Sequence, residues 1–403
     1  MASSLLVSFA ALLVVAVLVS ERAHRTVLST AVLFLLGGFV LGPGLLEVVP
    51  VQTSDPLVSA LAELALFSVL FTDGMRVGIA DLRSAWRLPG RALLLGLPLT
   101  LGLTAVLAHV VAGLPWLESF LLGAVLAPTD PVFAAAIVGR EEVPRRLRHL
   151  LNVESGVNDG LALPVVLVLL SLAGGMDAGG WRLLEEILLG IAIGVVVPWV
   201  VLRLERLPFL AATKGQQPLV AVSIGLLVLG ICVATHGNLF LGAFAAGVTV
   251  ATMGPGFRHE FEQFGELLSE LLKLAAILVF GALITPDFLF QEITFAGWAF
   301  ALLALVVARP LALAVSFMGS PLGLREQAAA MWFGPKGFAS VVYGLIVLES
   351  GIELADDVFH LVALAIVMSI VAHSSTDVVL ARQFKAPDEP AGREEPLERE
   401  GPT

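Results

Sequence analysis

Two short polar stretches interrupt long apolar runs in this chain, and their residue types suit one kind of chemistry. The first is Ala127-Pro128-Thr129-Asp130-Pro131, and the second is Asn152-Val153-Glu154-Ser155-Gly156-Val157-Asn158-Asp159-Gly160. On a helix, positions i, i+1, i+4 and i+5 share one face, so Glu154, Ser155, Asn158 and Asp159 can point at one cavity. The Asp159 carboxylate, the Asn158 amide, the Ser155 hydroxyl and the Thr129 hydroxyl or carbonyl all offer hard oxygen. Hard oxygen is what a small alkali cation prefers, and nothing in the set favours a transition metal. A charged side chain in lipid costs roughly 2.5 to 3.5 kcal/mol on insertion scales. Asp130, Glu154 and Asp159 together, beside a proline break, are therefore too expensive to be mere structure. A buried carboxylate that holds either a proton or an alkali cation, never both, would enforce exchange if the site turned over only when loaded. No Gly-x-x-x-x-Gly-Lys-Ser/Thr sequence supplies an ATP site, and no cofactor is expected.

Those residues need a membrane around them. Of 403 residues 58% are hydrophobic and 14% charged, against about a quarter charged in a soluble domain. The bilayer is thus the chain's main partner. Apolar segments fall near 2–20, 26–48, 57–74, 90–113, 118–138, 148–172, 183–207, 217–235, 238–254, 266–285, 291–318, 327–349 and 357–382. The expected fold is all-α and polytopic, with about thirteen transmembrane helices. Loops after odd-numbered segments, with the tail, collect nineteen Lys and Arg, while the opposite loops hold Arg182 alone. That asymmetry places the N-terminus outside and the C-terminus in the cytoplasm. It also accounts for the Arg-rich loop from Arg140 to Arg148 without a binding function. Glu21-Arg22 follows the first apolar run where a cleavage site would need small residues, so that run reads as a retained helix. Cys232 stands alone and excludes an intramolecular disulfide. The net charge of −11 is no evidence about nucleic acid in either direction, since much of it sits in short loops and the tail; no nucleic-acid partner is expected, and the Glu/Pro/Arg-rich tail at 385–403 reads as disordered.

An odd helix count permits two six-helix halves of opposite orientation: 1–172 and 216–384, joined by a linker helix within 173–215. Each half carries a broken helix at the same ordinal place, Pro128 to Pro131 in one and Gly334-Pro335-Lys336-Gly337 in the other. Proline removes a donor and turns the preceding residue away from helical geometry. The half-helices should cross near the midplane, where free backbone groups are tolerated only against protein or water.

The Thr-Asp-Pro break followed by Glu-Ser-x-x-Asn-Asp resembles the monovalent cation/proton antiporter superfamily, in particular its NhaP-like sodium/proton exchangers, over nearly the whole chain. The resemblance implies that Asp159 binds the cation or the proton and that Asp130 helps balance the site. Thr129 and Ser155 match further oxygen ligands, giving a sodium site at Asp159, Ser155 and Thr129 with Asn158 beside it. Asp73 matches a position where some relatives place an acidic ligand. Glu154 matches a carboxylate neutralised by a late Arg, here Arg309, and Lys336 matches a basic residue in the second break, often Arg in relatives. Because Asn158 replaces the second carboxylate of electrogenic relatives, the resemblance implies one cation per proton. It also implies a homodimer in a plasma or bacterial inner membrane.

Arg309 and Lys336 admit two readings, as part of the exchange or as counter-ions that keep buried acids tolerable. Lys273 is explained by Glu270 three residues earlier, through a helical ion pair or snorkelling. His236, Asn238 and His373 read as satisfied polar residues, and the role of Glu63 stays open. Three functions compete: sodium/proton exchange, potassium/proton exchange on the same fold, and an intramembrane aspartyl enzyme in which Asp130 and Asp159 would share a proton. The ligand types do not separate sodium from potassium or lithium. The neighbouring cations and the paired halves argue against the enzyme.

Overall fold

A computed structural model describes residues 2–23, 29–52, 55–77, 88–130, 143–174, 180–210, 212–213, 216–381 and 384. The expected tail disorder at 385–403, the stretch after the first break at 131–138, and Arg140 lie outside them. Among the described residues every regular element is helical. In chain order they are α1 (Ala2–Ala23), α2 (Thr30–Leu41), α3 (Pro56–Arg76), α4 (Leu88–Ala112), α5 (Trp116–Leu126), α6 (Arg145–Leu172) and α7 (Gly180–Glu205). There follow α8 (Gln217–Thr235), α9 (Leu239–Met253), α10 (Pro255–Leu283), α11 (Phe295–Ser316), α12 (Leu324–Trp332), α13 (Phe338–Glu349) and α14 (Ala355–Ala381).

Eight of these helices are long and apolar enough to cross a bilayer, and α2, α5, α9 and α13 are apolar but shorter. The shortness of α5 and α13 has a local cause. The Ala127-Pro128 sequence ends α5, and Pro335 with Gly337 delays α13 until Phe338. The segment expected at 266–285 instead begins at Pro255, with proline in the first turn where its missing N–H costs nothing. Glu266, Glu270 and Lys273 set α10 apart from the wholly apolar helices.

The helices pack as two groups. One gathers α1, α2, α3, α7, α8, α9 and α10, and the other α4, α5, α6, α11, α12, α13 and α14. Each expected half thus supplies three consecutive segments to each group, the broken pair α12–α13 counting as one. In lipid, where oil gains nothing by leaving oil, close backbone packing and polar ties must hold helices together. The first group shows this at two crossings. A Cβ on Gly38 or Gly281 would strike the partner backbone where α2 meets α10, and one on Gly74 or Gly247 would do so where α3 meets α9. The groups meet chiefly where α6 and α13 of the second face α3 of the first.

Candidate functional site

The two breaks touch. The Asp130 N–H donates to the Pro335 carbonyl at 3.0 Å, and the Phe338 N–H donates to Asp130 Oδ2 at 3.3 Å. The Asp130 carboxylate therefore sits at the N-terminus of α13, where unsatisfied amides and the helix dipole favour a negative charge. Gly337 makes this approach feasible, because a Cβ there would overlap the Asp130 side chain. The free carbonyls at both breaks are capped. Ser340 Oγ donates to Val125 O of α5 at 2.7 Å, and Arg309 Nη2 reaches Phe333 O of the α12 end at 3.3 Å. His373 of α14 lies with Nε2 2.9 Å from Trp332 O, and Ser369 Oγ accepts from the Lys336 N–H at 2.7 Å.

On α6, Glu154, Ser155, Asn158 and Asp159 are all buried. Asn158 Nδ2 donates to Thr129 Oγ1 at 2.8 Å, and the Thr129 and Ser155 hydroxyls lie 3.3 Å apart. The amide nitrogen thus turns toward the first break and leaves Asn158 Oδ1 without a hydrogen-bond partner. Asp159 Oδ1 is equally without one. Two buried acceptor oxygens without a protein donor, beside two hydroxyls and the backbone of the breaks, are the composition of a cation site.

Glu154 faces away from this oxygen cluster, toward α11. Arg309 Nη1 donates to Glu154 Oε1 at 2.7 Å, so the expected pair is made. A π turn at Ala304–Ala308 directly precedes Arg309 on α11. Such turns often re-aim side chains at functional positions. Gly334 of the second break must lack a side chain because a Cβ would run into the Arg309 guanidinium. Lys336 is buried, yet its Nζ has no hydrogen-bond partner, so it is not hydrogen-bonded to Asp130.

Asp73 comes from the first helix group. It is buried on α3, accepts from Arg76 Nη1 at 3.2 Å, and lies where a Cβ on Gly156 of α6 would be 4.0 Å from its own Cβ. Arg76 continues to Glu266 of α10 at 2.9 Å. Asp73 thus borders α6 across the line where the groups meet.

The transmembrane sodium/hydrogen exchanger model matches residues 9–382. The chain belongs to the sodium/hydrogen exchanger family. Among relatives of this chain, the K(+)/H(+) antiporter NhaP2 of Shewanella sp. (strain MR-4) is 27% identical over 93% of this chain and 66% of that protein. The K(+)/H(+) antiporter NhaP of Alkalimonas amylolytica is 26% identical over 92% of this chain and 65% of that protein. The chain spans about two thirds of the length of these relatives. In structure the chain resembles the sodium proton antiporter MjNhaP1 of Methanocaldococcus jannaschii, with a TM-score of 0.76, 18% identity, and 94% and 97% of the two chains covered. That likeness establishes the fold. The family and these neighbours are transporters, not enzymes, which counts against the aspartyl-enzyme reading, and the chain is a multi-pass membrane protein.

Several residues of the site had no signal in the sequence. Tyr343, the only tyrosine of the chain, donates its hydroxyl to the Asp159 carbonyl at 2.8 Å from α13. The Phe244 ring of α9 packs on Gly160, a Cβ there falling 3.1 Å from its Cγ. At the other end of α6, Arg146 Nε donates to Glu326 Oε1 at 2.6 Å and ties α6 to the start of α12. Burial works against the Glu326 charge, but hydrogen bonds from Arg146 and from the Gly323 N–H outweigh it and hold the carboxyl below the usual range. His236 ends α8 in the left-handed region, and Asn238 caps α9 by accepting from the Leu241 N–H at 3.0 Å. Neither takes part in the site. Glu63 is exposed on α3, away from the oxygen cluster.

Proposed function

We propose that this chain carries a monovalent cation across the membrane in one direction and a proton in the other, with Asp159 the carboxylate for which the two compete. The observation that carries this reading is the pair of buried, partnerless oxygens, Asp159 Oδ1 and Asn158 Oδ1, next to two crossing helix breaks. Thr129, Ser155 and Asp73 complete the oxygen set, while Asp130 is balanced by the α13 N-terminus and Glu154 by Arg309. Each loaded form places one positive charge on Asp159, so the two half-cycles carry equal charge and the exchange is electroneutral, one cation per proton. Asn158 favours this count, because it spends its amide on Thr129 and adds no second carboxylate. Alternating access of one site, presented by a homodimer with its N-terminus outside and C-terminus in the cytoplasm, completes the reading.

Sodium is the cation we assign, in keeping with the family. The names of the Shewanella and Alkalimonas relatives favour a second reading, potassium, on the same residues. Proteoliposomes with an acidic lumen separate them. Internal alkalinisation on adding external sodium, lost in Asp159→Asn and insensitive to a clamped membrane potential, is the expected result. A response to potassium alone transfers the assignment to the second reading. Full activity in Asp159→Asn refutes the carboxylate, and a rate that follows the imposed voltage refutes the one-to-one count.

A further inference from the structure

Arg76 stands on one of the carboxylates of the proposed oxygen set. Its Nη1 donates to Asp73 Oδ1 at 3.2 Å, and its Nη2 donates to Glu266 Oε1 of α10 at 2.9 Å. On a solvated helix face an i, i+3 ion pair would be worth little. This one joins unlike surroundings: the Asp73 side chain is 7% exposed, whereas those of Arg76 and Glu266 are 40% and 43% exposed. One guanidinium thus bridges an acid inside the protein and an acid at its surface.

The inner acid adjoins Asp159. A Cβ on Gly156 of α6 would lie 4.0 Å from the Asp73 Cβ, and one on Gly160 would meet Phe244 of α9, so this face of α6 is turned toward the first helix group. Asp159 follows Gly156 by three residues on the same face, about 4.5 Å along the axis. The outer acid is anchored on α10. One turn on from Glu266, Ser269 Oγ lies 2.8 Å from Thr72 Oγ1 and 2.7 Å from Ser68 Oγ, which holds α10 against α3. Arg76 is the last residue of α3, and Val77 after it leaves helical geometry. Its long side chain therefore starts from a helix end with both anchored carboxylates in reach.

We propose that Arg76 is a positioning residue that competes with the transported cation for Asp73, covering the carboxylate while the site is empty and turning to Glu266 when the ion arrives. This rests on the exchange reading above. Guanidinium and ion carry the same charge, so Asp73 keeps a positive partner in both states and is never left bare in the interior. The competition lowers affinity for the ion and so favours its release. Glu266 sets how far, because it holds the displaced guanidinium.

The test is thermal unfolding of the detergent-purified protein against sodium chloride or potassium chloride, with ionic strength held constant by choline chloride. An ion bound by the folded state alone raises the melting temperature from concentrations near its Kd. A half-exposed pair changes an equilibrium constant by at most about fivefold, so Arg76→Gln, which frees Asp73, should tighten cation binding about threefold to fivefold. Glu266→Gln should weaken it about twofold, because the guanidinium then stays on Asp73. Arg76→Lys keeps the charge and should stay within about twofold of the native chain. In an Asp73→Asn background, Arg76→Gln should no longer tighten binding, since the contested carboxylate is gone. In liposomes the cation KM should move with Kd. A guanidinium that only ties α3 to α10 would lower the melting temperature in both neutral variants and leave Kd alone. Unchanged Kd in Arg76→Gln and Glu266→Gln, or shifts of the same sign, overturns the assignment, as does tightening that persists without Asp73. If the native chain responds to neither cation while folding normally, the exchange reading itself fails, and the inference with it.

Discussion

Arg309→Met tests whether the Glu154–Arg309 pair holds the second break in place. Arg309 and Glu154 are 5% and 4% exposed, and their contact is 2.7 Å. Removing one member of such a pair leaves an uncompensated buried charge, which costs about 3 to 5 kcal/mol. The same guanidinium also reaches Phe333 O, so the variant frees a carbonyl at the α12 end, a loss of about 1 kcal/mol. The expected penalty is therefore about 4 to 6 kcal/mol. Glu154→Gln/Arg309→Met removes both charges and should recover much of it, because the largest contribution is the orphaned carboxylate. Arg309→Lys keeps the charge but has no planar fork to serve Glu154 and the carbonyls together, and should fall between. Titration with sodium dodecyl sulfate in mixed micelles, followed by far-UV circular dichroism, measures the unfolding free energies. A loss below about 1 kcal/mol in Arg309→Met would refute the reasoning. So would a double variant no better than the sum of its singles, since the pair would then carry no coupling.

Gly337→Ala places a methyl group inside the Asp130 side chain. It should separate the breaks, losing the Asp130–Pro335 and Phe338–Asp130 hydrogen bonds for about 2 to 4 kcal/mol. Transport in liposomes should fall below a tenth of native, and a native rate would mean that the crossing is not needed. Tyr343→Phe frees the Asp159 carbonyl and should cost about 1 kcal/mol in the same detergent titration. The cation KM should change less than about threefold, because the hydroxyl holds backbone and not the ion; a tenfold rise would make Tyr343 part of the ion's surroundings. Asn158→Asp replaces the amide that donates to Thr129 with an acid, and it should make the exchange rate depend on imposed voltage in clamped liposomes.

The sequence made the breaks legible because proline and glycine act locally, so Pro128, Pro131 and Pro335 announce lost helix wherever the chain lies. Asp130 and Asp159 were legible for a related reason, since the solvent prices each charge singly. The Glu154–Arg309 pair came only from resemblance, for nothing local links positions 155 residues apart. Lys273 was read from its neighbour at i−3, but it is buried without that ion pair, and burial there depends on how α10 lies on α3. Tyr343 was invisible for another reason: inside an apolar helix its hydroxyl has meaning only once the α6 backbone is found beside it. The need for glycine at 334 and 337 likewise comes from Arg309 and Asp130, which no spacing rule connects to them.

The hydrogen bond from Phe338 to Asp130 spans 208 residues of chain. At translation speeds of roughly 5 to 20 residues per second, the first break waits about 10 to 40 s for its partner. Throughout that interval the nascent protein holds an acidic, partly unwound segment in or beside the membrane, with its α6 partner Asn158 but without the contacts from the second break. Something else must shelter it, whether the insertion machinery, trapped water, or a provisional fold of the first six helices. Biogenesis, rather than the finished fold, is thus the stage at which Asp130 is most exposed to quality control.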